Sequence, residues 1–271
     1  MKVIALITSF ASLIIPCLGF AESQLKSDKQ NFLQDSTLLF NGATLPEDVL
    51  PEPVDDTVTY NFFLAEIFEY RMEEGADVGQ WDVFGWHGGD YNRLWIKSEG
   101  NASTENASGE GDFQLLYGRL ISHFFDLQMG LRYEQLWSSD KSEQSQTSLA
   151  IGFQGFAPYY FDLEPTLFVS QDGNISARVT GTYDILLTQH FILQPRLEGV
   201  VAAQENKDFG VGSGLNDIDA GLRLRYEFTR KFAPYVGVNY SRFFGRTLYL
   251  ARSEGENTNN WALVSGIRFW F

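Results

Sequence analysis

The charges of this chain fall two residues apart. Glu69 stands with Arg71, Arg132 with Glu134 and Arg196 with Glu198, and one run holds Asp217, Asp219, Arg223, Arg225 and Glu227. Arg178, Asp184 and Arg268 continue the series on their own segments. A spacing of two places such residues on one face of a β-strand. Carboxylates facing guanidinium groups make charge-assisted, often forked hydrogen bonds, so the chemistry to expect is an ion-pair network on a polar wall. Softer ligands are few. The single cysteine is Cys17, the histidines are His87, His123 and His190, and past Met1 the methionines are Met72 and Met129.

The stretch NDIDAGLRLRYEF, residues 216–228, shows what must position these charges. Ile218, Ala220, Leu222, Leu224, Tyr226 and Phe228 share one face, and the charged residues share the other. The same alternation predicts strand cores at 60–72, 80–87, 92–99, 112–122, 127–138, 146–156, 161–170, 174–186, 191–202, 215–228, 233–243 and 260–271. Short connections at 88–91, 123–126, 157–160, 187–190 and 229–232 alternate with longer polar ones, apart from the short 171–173. This rhythm predicts an all-β fold, a transmembrane outer-membrane β-barrel of about twelve antiparallel strands. An even strand number puts both termini on the periplasmic side.

No uncharged apolar run past the N-terminus approaches the ~20 residues of a membrane helix, in keeping with a mean hydropathy of −0.18. Barrel strands need only ~9–11 residues. A secreted β-sandwich would alternate too, but its strands run ~5–6 residues, and several here run beyond ten. Aromatics also gather toward strand ends, as at Tyr133 and Trp137, Tyr159 to Phe161, and Trp270 with Phe271. Girdles at two membrane interfaces have that distribution. The apolar side of each strand then faces outer-membrane lipid. Arg71, Arg132, Arg178, Arg196, Glu198, Asp217, Asp219, Arg223, Arg225, Glu227 and Arg268 face the lumen as its charge network. Glu66 falls on the lipid side of this register beside Phe68, which calls for a bulge or a different strand start.

Ahead of the barrel, residues 1–21 read as a secretory signal: Lys2, an apolar stretch from Val3 to Ile15, and small residues Gly19 and Ala21 before a cut at Glu22. Pro16 makes Cys17 a poor lipoprotein site. Cleavage would leave no thiol and move the net charge from −15 to −16, which argues against nucleic acid as a partner. Residues 22–59, with Pro46, Pro51 and Pro53 among acids, read as a short disordered acidic arm on the periplasmic side.

The runs FEYR at 68–71, WDVFGWHGGDYNRLWIKSEG at 81–100, GFQGFAPYYF at 152–161, YDILLTQHFILQPRLE at 183–198 and the GIRFWF end resemble the copper resistance protein B family. The resemblance runs in order through nearly all of residues 60–271. It implies an outer-membrane barrel that helps a cell handle excess copper, by binding copper ion weakly or by letting it leave the periplasm. It also implies a periplasmic copper carrier or oxidase as partner, and no enzyme activity. Members of the family often carry a Met- and His-rich arm, whereas residues 22–59 hold neither residue. Thioether and imidazole suit copper better than carboxylate does.

The ligand set left in the barrel on this reading is His87, Asp90, Glu69 and Glu134. The three histidines fall at turns roughly 10 Å or more apart, too far to share an ion held at ~2.0–2.3 Å. The alternative is a narrow general channel or scaffold barrel without copper specificity. A barrel hydrolase would need a nucleophile with a positioned base, and no histidine falls on an outer rim beside a serine.

Overall fold

The computed structural model describes residues 58–73, 75–105, 108–138, 143–254 and 257–271. The signal and nearly all of the acidic arm lie outside these. The strands are β1 (Tyr60–Glu73), β2 (Val78–Gly88), β3 (Asn92–Ser103), β4 (Gly109–Ser122), β5 (Phe125–Trp137), β6 (Gln144–Ala157) and β7 (Phe161–Ser170). Then follow β8 (Ile175–Thr182), β9 (Ile185–Leu186), β10 (Phe191–Ala202), β11 (Gly214–Tyr226), β12 (Phe232–Phe243), helix α1 (Gly245–Glu254) and β13 (Asn259–Trp270).

Each strand pairs antiparallel with its neighbours, and β13 returns to β1 through pairs running from Leu64↔Trp270 to Glu73↔Ala262. The strand predicted at 174–186 is interrupted at Tyr183 and Asp184, and its two pieces, β8 and β9, both pair with β10. They form one stave, so the ring has twelve. Both ends of the ring meet at the end of the short turns, where Phe63 and Phe271 exchange two backbone hydrogen bonds of 3.2 and 3.0 Å.

The core is inverted. Phe68, Tyr70 and Met72 on β1, Phe113, Leu115 and Tyr117 on β4, and Leu222 and Leu224 on β11 lie exposed on the outside. Their alternating neighbours Glu69, Arg71, Asp112, Gln114, Arg223 and Arg225 are buried inside. In water so large an apolar belt would drive aggregation; against hydrocarbon it is matched. Among the described residues no helix is long and apolar enough to cross a membrane, and the strands do the crossing.

Among the register shifts of the described strands, two place a polar residue inward. On β1 the pairing with β2 slips between Ala65 and Ile67, opposite Val83 and Asp82, leaving Glu66 as the extra residue. A bulge of one residue flips the face of all that follows. Phe62 and Leu64 point inward ahead of it, and Ile67, Glu69 and Arg71 after it. This is the departure from register that Glu66 demanded of the sequence. On β11 the pairing with β10 slips between Leu215 and Asp217, which makes Asn216 the extra residue. Asn216 is buried and receives the hydroxyl of Thr247 at 3.0 Å, while the same hydroxyl accepts the Gly212 N–H at 2.9 Å. Thr247 thereby ties α1, which the alternation of the sequence does not foretell, to the long-loop end of the wall.

Candidate functional site: the charged bore

Across the closing seam the interior is held by one carboxylate. Glu69 on β1 is enclosed, its side chain 0% exposed. It accepts Arg223 Nε and Nη2 at 2.9 and 2.8 Å, Arg71 Nε at 2.9 Å and the Tyr235 hydroxyl at 3.0 Å. The register explains the reach. Tyr235 on β12 lies opposite Gly266 on β13, and Gly266 lies opposite Glu69 on β1. A side chain at 266 would stand 2.7 Å from the tyrosine ring, so only glycine lets that ring lie across β13 to the carboxylate. Beside this hub, Asp219 accepts Asn239 Nδ2 at 2.7 Å and Arg71 Nη1 at 3.4 Å.

A second group of charges meets across the bore. Arg196 on β10 reaches Asp82 on β2 at 3.2 Å, and Lys97 on β3 reaches Glu164 on β7 at 2.6 Å. Arg178 on β8 pairs with Glu99 on β3. The six line one cavity with Glu66, Asp162, Phe84, Gln114 and Gln154. Next to it Trp95, Leu116, Ala150 and Phe168 form a small apolar cluster inside the barrel, with Phe84 and Trp86 against it. Cations cap these rings: Arg132 lies 4.4 Å over Phe168 and Arg93 4.7 Å over Trp86. Such contacts are worth ~0.5–2 kcal/mol each. Arg132 also holds Asp112 at 2.5 Å and Glu134 at 3.2 Å.

The structure separates the four residues proposed for copper. His87 pairs opposite Asn61 on the face of β2 away from Trp86, and its Nδ1 lies 2.7 Å from Asn61 Oδ1. Asp90 is exposed in the turn after β2, where its carbonyl accepts Arg93 Nη2 at 3.4 Å. Glu69 is enclosed by the hub, and Glu134 is taken by Arg132. Among the described residues no three His, Cys, Asp or Glu gather as a metal site. His190 Nδ1 contacts the Glu227 carbonyl at 3.0 Å, and His123 packs on Phe124.

Ion pairs hold most of the residues assigned to the lumen. Arg71, Arg132, Arg178, Arg196, Glu198, Asp219, Arg223, Arg225 and Glu227 all enter ion pairs. Asp217 and Arg268 have no ion pair among the described residues. What the spacing left unread is the cavity's own set: Asp82, Lys97, Glu99, Asp162 and Glu164. Asp82 alternates with Gln80 and Phe84 within QWDVFGW, where flanking aromatics mask a single inward acid.

A closed barrel with an apolar exterior and a charged, ion-paired bore is an outer-membrane β-barrel. The family model described as copper resistance protein B precursor matches residues 59–271. Copper resistance protein B of Escherichia coli is 39% identical over 220 residues, covering 80% of this chain and 71% of the relative. A homolog from Pseudomonas syringae pv. tomato is 38% identical over 218 residues, covering 80% and 72%. Among solved structures, a NanC porin aligns with a TM-score of 0.49 at 12% identity, over 76% of this chain and 98% of that one. The chain belongs to the copper resistance protein B family.

Proposed function

We propose that this barrel serves copper resistance as a narrow path by which copper ions leave the periplasm, touching the bore weakly instead of being chelated in it. The observation that carries this reading is the charge balance of the cavity inside the barrel: five carboxylates against three cations. Carboxylates are hard ligands that hold a hydrated cation loosely and with little selectivity. Copper is therefore cargo here, and His87 lies on the other face of its strand. The termini face the periplasm on this reading. A periplasmic copper carrier or oxidase that delivers the ion is the partner this reading implies.

A second reading has its own support. Ion pairs that reach across the bore favour a barrel closed to solutes, acting as a scaffold. The two are separated by reconstituting the mature chain in liposomes loaded with copper or zinc and following efflux, alongside growth on copper of cells lacking the protein. Efflux of both ions with copper-sensitive growth supports the path. Copper-sensitive growth without efflux of either ion supports the scaffold, and tight, copper-selective retention overturns both.

A further inference from the structure

We infer that the bore has its constriction at the three ion pairs that cross it, and that the bulged carboxylate of Glu66 sets the preference of that constriction for cations. This rests on reading the barrel as a path.

Around a ring of twelve staves, positions six apart face each other. Asp82 and Arg196 are five staves apart, Glu99 and Arg178 five, and Lys97 and Glu164 four. Neighbouring staves are joined by backbone, and pairs between adjacent strands only decorate the wall. Pairs spanning four or five staves must cross the open section. All three pairs line the same cavity, so they narrow the bore at one level.

The pairs leave charge over. Each of the three cations takes one of Asp82, Glu99 and Glu164, while Glu66 and Asp162 make no side-chain hydrogen bond or ion pair among the described residues. Glu66 lies within electrostatic reach of Asp82 and Asp162 on one side and of Arg196 and Arg268 on the other. It is the extra residue of the β1 bulge: the register of Phe68, Tyr70 and Met72 would set it in lipid, whereas that of Phe62 and Leu64 ahead of the bulge sets it toward the bore. A bulge gives up ladder pairing, and its recurrent use is to re-aim a side chain. In a narrow bore walled by low-dielectric material, carboxylates left outside direct ion pairs weigh heavily on the local potential. Salt screens it little over distances shorter than the ~8–10 Å Debye length.

The test is single-channel recording of the mature chain in planar bilayers across a KCl gradient. Glu66→Gln and the charge-keeping Glu66→Asp are recorded in the natural background and in one carrying Arg178→Gln and Arg196→Gln. Each protein is first checked for the folded, heat-modifiable band on gels. The expected result is a conductance raised severalfold by the two arginine changes. Glu66→Gln should lower the potassium-over-chloride permeability ratio severalfold with little change in conductance, and Glu66→Asp should retain that ratio. A folded arginine variant no more conductive than the natural chain overturns the constriction. A permeability ratio unmoved by Glu66→Gln overturns the role of Glu66 and leaves the path reading standing. Folded proteins that conduct in neither background overturn the path reading itself.

Discussion

Glu69 and Arg223, 154 residues apart in the chain, meet in a two-pronged ion pair on the inside of the barrel at 2.8 and 2.9 Å. The strands that carry them, β1 and β11, are not neighbours, for β12 and β13 lie between. The pair therefore spans the seam where the ring closes, and the hydroxyl of Tyr235 on β12 joins it from above β13.

Removing one partner leaves the other as an uncompensated buried charge. Glu69→Gln is expected to destabilise the barrel by ~3–5 kcal/mol. Tyr235→Phe removes a single hydrogen bond and should lower stability by ~1 kcal/mol. Urea unfolding in detergent, followed by tryptophan fluorescence, checks this ordering. Equal effects of the two changes would show that the carboxylate is not the centre of the hub.

Gly266→Ala should cost more than Tyr235→Phe, even though it adds one methyl group. The new carbon would stand 2.6 Å from the Phe68 carbonyl oxygen and 2.7 Å from the Tyr235 ring. Forcing that ring aside costs ~1–3 kcal/mol and also withdraws its hydroxyl from Glu69. The same unfolding assay reads the difference, and near-neutral behaviour would mean that the ring has another seat.

Thr247→Ala should loosen α1 without unfolding the barrel. It leaves the Gly212 N–H without its acceptor and Asn216 without its donor, a local loss of ~1–3 kcal/mol. Backbone hydrogen exchange in 245–254 is expected to speed up while β11 and β12 keep their protection. Thr247→Ser, which keeps the hydroxyl, should restore slow exchange.

His87→Ala is expected to leave stability within ~0.5 kcal/mol of the natural chain and to leave copper efflux from liposomes unchanged. A fall in efflux without a fall in folded protein would return His87 to the copper path.

Fold was more legible than site, for a physical reason. Lipid outside and charge inside impose the same period of two on every strand, so Phe113, Leu115 and Tyr117 separate from Asp112 and Gln114 by inspection. Where the period fails the reading fails with it. Glu66 looked misplaced because a bulge is a local change of register, and sequence records only the misfit. The cavity depended on closure: that Asp82 meets Arg196 follows from the order of staves around the ring, which alternation along each strand does not contain. His87 and Asp90 are near in sequence, yet β2 turns His87 outward. Glu69 was correctly placed inside, but its spacing could not reveal that Arg223 and Tyr235 already satisfy it.

The hub at the seam also bears on how the barrel enters its membrane. Arg71 stands beside Glu69 on the first stave, but Arg223 and Tyr235 come from β11 and β12 and reach it only when the chain has come full circle. Until then Glu69 has only Arg71 of its own strand and lies along an unsealed edge, and unpaired polar groups are costly in hydrocarbon. The final stave thus does more than complete the wall: it brings the carboxylate its remaining hydrogen-bond partners. Closure of the ring and completion of the hub are one event, reached when the last strand meets the first.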